Sequence, residues 1–208
     1  MAKITAKEFW KRFKSKKDKL MDIDSLKENE IDSLMNEVDK DLKEYSSGLD
    51  FILGDLNEKG RTITFTANDD EEYFSDVETL CENSPLIDFW QVESFVAPQG
   101  KNAEVESEDG KKRIRSKDLF FIPMESDEKT DKIGLTIGIK GYKEDDQEMT
   151  FLLYSLVEKM IGEYNTVKMI AYFDVCPLPS NPKQEGFLPL TQLPDFVQWK
   201  IEKMKKEK

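Results

Sequence analysis

Histidine is absent from this chain. That removes the side chain that most often serves as general base, proton shuttle and metal ligand near neutral pH, and with it every serine-type triad and zinc site built on imidazole. Cysteine is scarce as well: Cys81 and Cys176 lie too far apart for a disulfide framework or a metal-ligand spacing. A reducing compartment suits that usage. No run approaches the 18 or more apolar residues of a membrane span, and the first residues show no apolar signal region. Cytoplasm is therefore the expected location. Phosphate-cradling glycine loops, nucleophile elbows, zinc-protease helices and calcium loops are missing too. Glu106-Ser-Glu-Asp-Gly110 has neither the ligand spacing nor the closing Glu of a calcium loop.

What is present is a 208-residue acidic chain of net charge −12. Leu, Ile, Val and Phe account for 54 residues, above the roughly 20% below which disorder is expected. The chain should fold, as one domain overall. Its charge is uneven: residues 1–20 carry +6, residues 200–208 carry +3, and residues 21–199 carry −21. A negative body repels nucleic acid and anionic lipid and attracts basic partners or cations.

Thr5-Ala-Lys-Glu8 and Ser25-Leu-Lys-Glu28 have the spacing of capping boxes and predict two N-terminal helices within residues 1–48. Phe9, Trp10 and Phe13 form one side of the first; Ile31, Leu34, Val38, Leu42 and Tyr45 form the stripe of the second. After Gly48 the period shortens to 2. Residues 49–98 read as strand, strand, helix and strand, with alternation at Ile63 and Phe65, a helix around Val77 and Leu80, and a strand from Phe89 to Val96. Residues 99–117 read as a connector or two short edge strands.

The same order returns in residues 118–179. Ile133, Leu135, Ile137 and Ile139 alternate, a helix carries Leu152, Leu153, Leu156 and Val157, and Thr166–Val175 reads as a last strand. Phe51 and Phe121, Ile63 and Ile133, and Phe65 and Leu135 are each 70 residues apart. This pattern fits a duplicated strand-strand-helix-strand unit, although two hairpins of equal length would align in the same way. Residues 180–208 form a loop and a C-terminal helix. The expected fold is α+β, with a mainly antiparallel sheet, helices on one face, the N-terminal helix pair and the C-terminal helix.

Two groups of residues invite a functional reading. Asp69, Asp70, Glu71 and Glu72 precede one repeat helix, and Glu144, Asp145 and Asp146 precede the other. Such carboxylates cap a helix and complement its dipole; gathered together, Asp69, Asp70, Asp145 and Asp146 could hold Mg²⁺ or Ca²⁺. Phe9, Trp10 and Phe13, interleaved with Lys7, Lys11, Arg12 and Lys14, fit a helix that meets lipid or nucleic acid, but such aromatics are expected first to dock on their own core or a second copy, and next in a partner's groove. No cofactor is implied.

Phe9-Trp10-Lys-Arg-Phe13 at the start and Leu188-Pro-Leu-Thr-Gln-Leu-Pro-Asp-Phe-Val-Gln-Trp199 near the end resemble those of a group of acidic bacterial proteins with an α+β body. That resemblance implies a bacterial cytosolic setting and no activity or functional residues. The leading expectation is a non-catalytic, adaptor- or immunity-like interaction protein. Its acidic surface, with Glu71, Glu72 and Glu144, would meet a basic protein, and a homodimer is allowed. Its rivals are a carboxylate-based, divalent-metal-dependent enzyme and a small-molecule sensor with a pocket between the repeats. No nucleic acid and no membrane is expected as partner.

Overall fold

The computed structural model describes residues 3–125, 131–142 and 146–207. Among the described residues the fold is α+β, with six helices, three small and mostly antiparallel sheets, an N-terminal helix pair and a C-terminal helix. The chain divides into two compact units, Met1–Val96 and Ala97–Lys208. Among the described residues no helix is long and apolar enough to cross a membrane.

In the first unit, α1 (Ala6–Met21) starts where Thr5 Oγ1 accepts from the Glu8 amide at 3.2 Å. The second capping box shifts. Ser25 lies in a 3₁₀ turn and donates to the Asp22 carbonyl, and α2 (Glu28–Tyr45) is capped instead by Glu30, whose carboxylate accepts from the Lys27 amide at 3.2 Å. The turn satisfies Ser25 locally, so the same Ser-to-Glu spacing no longer marks a helix start.

β1 (Asp50–Leu53) pairs antiparallel with β2 (Arg61–Thr66), and α3 (Phe74–Glu82) carries the chain over to β3 (Trp90–Ser94), which joins β2 in parallel. A parallel neighbour requires such a crossover. Phe9, Trp10 and Phe13 of α1 are buried on this sheet: the Phe9 and Trp10 rings meet Phe65 edge-on at 5.6 and 5.7 Å, and Phe13 meets Trp90 at 5.0 Å. The indole N–H of Trp10 donates to the Leu80 carbonyl at 2.8 Å, as a buried indole must find an acceptor. Between α1 and α2, Arg12 bonds Asp41 and Glu44 at 2.8 and 2.7 Å, and Lys16 bonds Asp41 at 2.6 Å.

The second unit contains the hairpin β4 (Glu104–Glu106) and β5 (Arg113–Arg115), and a four-stranded sheet. In that sheet β6 (Phe120–Glu125) and β7 (Ile133–Ile139) are antiparallel, β8 (Ile170–Pro177) is parallel to β7, and β9 (Leu188–Pro189) flanks β6. The core sets α4 (Gln147–Ile161), through Leu153, Leu156 and Val157, and α6 (Leu193–Glu207), through Leu193 and Val197, with Phe121, Leu135 and Ile137.

The expected last strand is shorter than its alternation suggests. Residues 163–169 form α5 (Glu163–Met169), separated from α4 by Gly162 at φ +81°, and the strand begins at Ile170. Thr166 Oγ1 donates to the Gly162 carbonyl at 2.9 Å and Asn165 to the Ile161 carbonyl at 2.9 Å, bonds that hold this stretch helical. The expected single sheet is also replaced by separate ones. Both larger sheets repeat the order hairpin, helix, parallel strand, but their registers differ. Phe51 faces Phe65, whereas Phe121 faces Ile137 and not Leu135.

Candidate functional site

The aromatic candidates Phe9, Trp10 and Phe13 lie inside the first unit, each almost wholly removed from solvent. The acidic candidates lie outside. Asp70 accepts from the Glu72 amide at 3.0 Å and caps the 3₁₀ turn Glu71–Tyr73 that leads into α3, while Glu71 and Glu72 are exposed. Asp69, with φ +64°, shapes the turn before it. In the second unit Asp146 caps α4, accepting from the Met149 amide at 3.0 Å and from Lys112 at 3.2 Å, and these bonds hold its carboxyl below the usual range. Glu144 and Asp145 lie outside the described residues. Among the described residues no three Cys, Asp or Glu side chains gather to hold a metal ion.

A stronger electrostatic feature appears once the exposed residues of the first unit are followed along the chain. Residues 62–96 contain nine Asp and Glu and no Lys or Arg. Seven of the nine, Asp70, Glu71, Glu72, Glu78, Glu82, Asp88 and Glu93, are exposed. The signal in the sequence is not a cluster of acids but 35 successive residues without a cation. Asp and Glu in such a stretch reinforce one another's field over the spacing of a Debye length, about 8–10 Å at physiological salt.

Beside these acids is an apolar feature that the alternation conceals. A cleft of about 440 Å³ lies between the β1–β2 turn and the segment before β3, with Met21, Leu56, Phe89 and Trp90 among its lining. Asp18, Glu58 and Asp88 stand on it, with Lys17, which pairs with Asp18 at 2.5 Å. Phe89, expected to open a strand, precedes β3 and is 71% exposed, Leu56 is 51% exposed and Leu86 fully so.

The backbone holds Phe89 where it is. Its φ is +63°, in the left-handed region that disfavours a residue with a bulky side chain. The Arg61 amide donates to the Phe89 carbonyl at 2.9 Å, and the Trp90 amide to the Ile87 carbonyl at 3.1 Å. Gly60, at φ +109°, makes this approach possible, since a Cβ there would sit 1.8 Å from the Phe89 carbonyl oxygen. Arg61 in turn is buried, and its guanidinium reaches the Gly54 carbonyl at 2.8 Å, the Met21 carbonyl at 3.2 Å and the Asp24 carboxylate. One buried arginine thus braces the end of α1, the β1–β2 connection and, through its own amide, the Phe89 backbone.

A second cleft of the first unit, about 660 Å³, has Lys3, Lys43, Tyr45, Ser46, Tyr73 and Asp76 among its lining. Tyr45 Oη donates to the Asp76 carbonyl at 3.0 Å, and burial, with Asp76 nearby, pushes its pKa up to about 12. Tyr73 lies across Gly48, where a Cβ would come within 2.2 Å of its ring. Among the described residues the buried Ser46 hydroxyl has no hydrogen-bond partner. Neither cysteine is poised as a nucleophile: burial pushes the Cys81 thiol up to about 12 and, together with Asp174, raises that of Cys176.

No family model matches the chain, and no curated protein or solved structure matches it significantly.

Proposed function

We propose that this is a non-catalytic, adaptor- or immunity-like interaction protein that presents an acidic surface to a basic protein partner. The observation that carries this reading is the run of residues 62–96, with nine acids, seven of them exposed, and no Lys or Arg. A one-signed surface steers an oppositely charged partner and disfavours others more than it adds raw affinity. The acids are fixed on ordered elements, the turn before α3, α3 itself and β3, so the field has a fixed pattern. A reducing, cytoplasmic setting accompanies this reading, with two unpaired thiols.

The test measures binding of a Lys/Arg-rich peptide to the full chain across a salt series, with a peptide of equal length and opposite charge as control. The expected result is affinity for the cationic peptide alone that falls as salt rises. Joint Glu71→Gln, Glu72→Gln, Glu78→Gln and Glu82→Gln substitution should weaken it about tenfold or more at low salt, an effect of about 1.4 kcal/mol. Affinity indifferent to salt and to these substitutions would contradict the reading.

A further inference from the structure

We propose that the cleft between the β1–β2 turn and the segment before β3 is an anchor site, which takes a large apolar side chain from a short segment of the partner flanked by Lys or Arg. The proposal rests on the interaction reading above and deepens it, naming the kind of peptide that the acidic surface recognises.

Three observations lead there. The first is exposure. Single apolar residues on a surface need no explanation, but Leu56 and Phe89 line one cleft, and fully exposed Leu86 precedes Phe89 by three residues. An apolar cleft rimmed by polar residues is the usual form of a binding site. Its volume of about 440 Å³ falls within the range of such sites.

The second is strain without burial. Phe89 and Phe95 share nearly the same left-handed backbone, with φ of +63° and +65°. Phe95 is 6% exposed and packs on the Phe74 ring at 4.6 Å, so burial of its ring offsets the cost. Phe89 has no such return, since its ring stands mostly in water. The fold nevertheless fixes it there, through the Arg61 amide and the close approach of Gly60. Strained residues with no internal compensation concentrate at binding and switch sites.

The third is charge. Asp18 on the same cleft is paired with Lys17 at 2.5 Å, which leaves Glu58 and Asp88 as its net negative charge, and the stretch that contains Asp88 carries no cation over residues 62–96. An apolar occupant flanked by acids would meet repulsion from these two carboxylates. One flanked by Lys or Arg meets complementary charge beside its anchor, with the central apolar contact and polar rim typical of protein interfaces.

The experiment uses the full chain and two fluorescent ten-residue peptides of equal positive charge, one with Trp-Leu at its centre and the other with Ala-Ala. Anisotropy titrations at about 0.15 M salt are compared for the wild type, Phe89→Gly, and Leu56→Ser with Phe89→Gly. The expected result is that the wild type binds the Trp-Leu peptide at least tenfold more tightly, and that both variants lose this preference while keeping the salt-dependent affinity for either peptide. Phe89→Gly guards against a folding artefact, because glycine adopts this backbone freely. Equal binding of the two peptides by the wild type, with salt dependence intact, would overturn the anchor and leave the acidic surface standing. Absence of binding to both would overturn the two together. A wild-type dimer in sedimentation that the double variant abolishes would assign the cleft to a second copy of the chain and overturn the basic partner.

Discussion

Phe89 and Phe95 make a controlled comparison, since two phenylalanines in nearly the same disfavoured backbone differ in whether the ring is buried. Left-handed geometry costs a non-glycine residue about 1–2 kcal/mol, and glycine returns about 0.4–1 kcal/mol of that through the entropy of the unfolded chain. Phe89→Gly should therefore stabilise by about 0.5 kcal/mol and raise the Tm by one or two degrees. Phe95→Gly removes a buried ring, worth about 3–5 kcal/mol in such truncations, and should lower the Tm sharply. Thermal denaturation of the two variants decides the matter: a fall in Tm for Phe89→Gly would mean that its ring is a structural contact. Asp41 yields a second prediction. Burial raises its carboxyl, but hydrogen bonds from Lys16 and Arg12 outweigh this and hold it below the usual range. A carboxyl lowered on folding stabilises above its unfolded pKa, and that contribution is lost as pH falls through the folded one. Asp41→Asn should thus cost about 2 kcal/mol at pH 7, and the Tm gap to the wild type should close below about pH 4. A gap independent of pH would contradict this.

At the level of elements, period and caps made much of the fold legible before any coordinates. The stripe of Leu34, Val38 and Leu42 and the alternation of Ile133, Leu135 and Ile137 each bury the side chains that their spacing selects. Helix ends were legible where the signal was unique, as at Thr5. They were not where a competing local bond existed, as at Ser25, whose hydroxyl serves a 3₁₀ turn, or at Thr166, whose hydroxyl bonds back to Gly162. Strand-to-strand pairing was the least legible level. Carried over the 70-residue offset, the observed pairing of Phe51 with Phe65 would set Phe121 opposite Leu135, yet Phe121 faces Ile137, because register depends on the turn and on the partner strand. The anchor cleft was hidden for a related reason. Phe89 directly precedes the apolar Trp90 of β3, and nothing in a phenylalanine announces a positive φ; the nearest hint is Gly60, which lies 29 residues away in the chain.

For the whole molecule, the total charge of −12 conceals how it is distributed. The lysine-rich α1 uses part of its charge internally, Arg12 and Lys16 being bound to α2 carboxylates, whereas residues 62–96 contain no Lys or Arg of their own, and Asp76 among them takes its ion pair from Lys3 at 3.3 Å. The functional claim therefore belongs to one segment of the first unit. It is tested most directly by following the backbone amide resonances of the full chain while a Lys/Arg-rich peptide with a central Trp-Leu is added. The account predicts that the shifted amides fall within residues 68–93, together with those of Leu56, Asn57 and Glu58, and that they return as salt is raised. Shifts confined to the second unit, or scattered over both units without regard to charge, would contradict it.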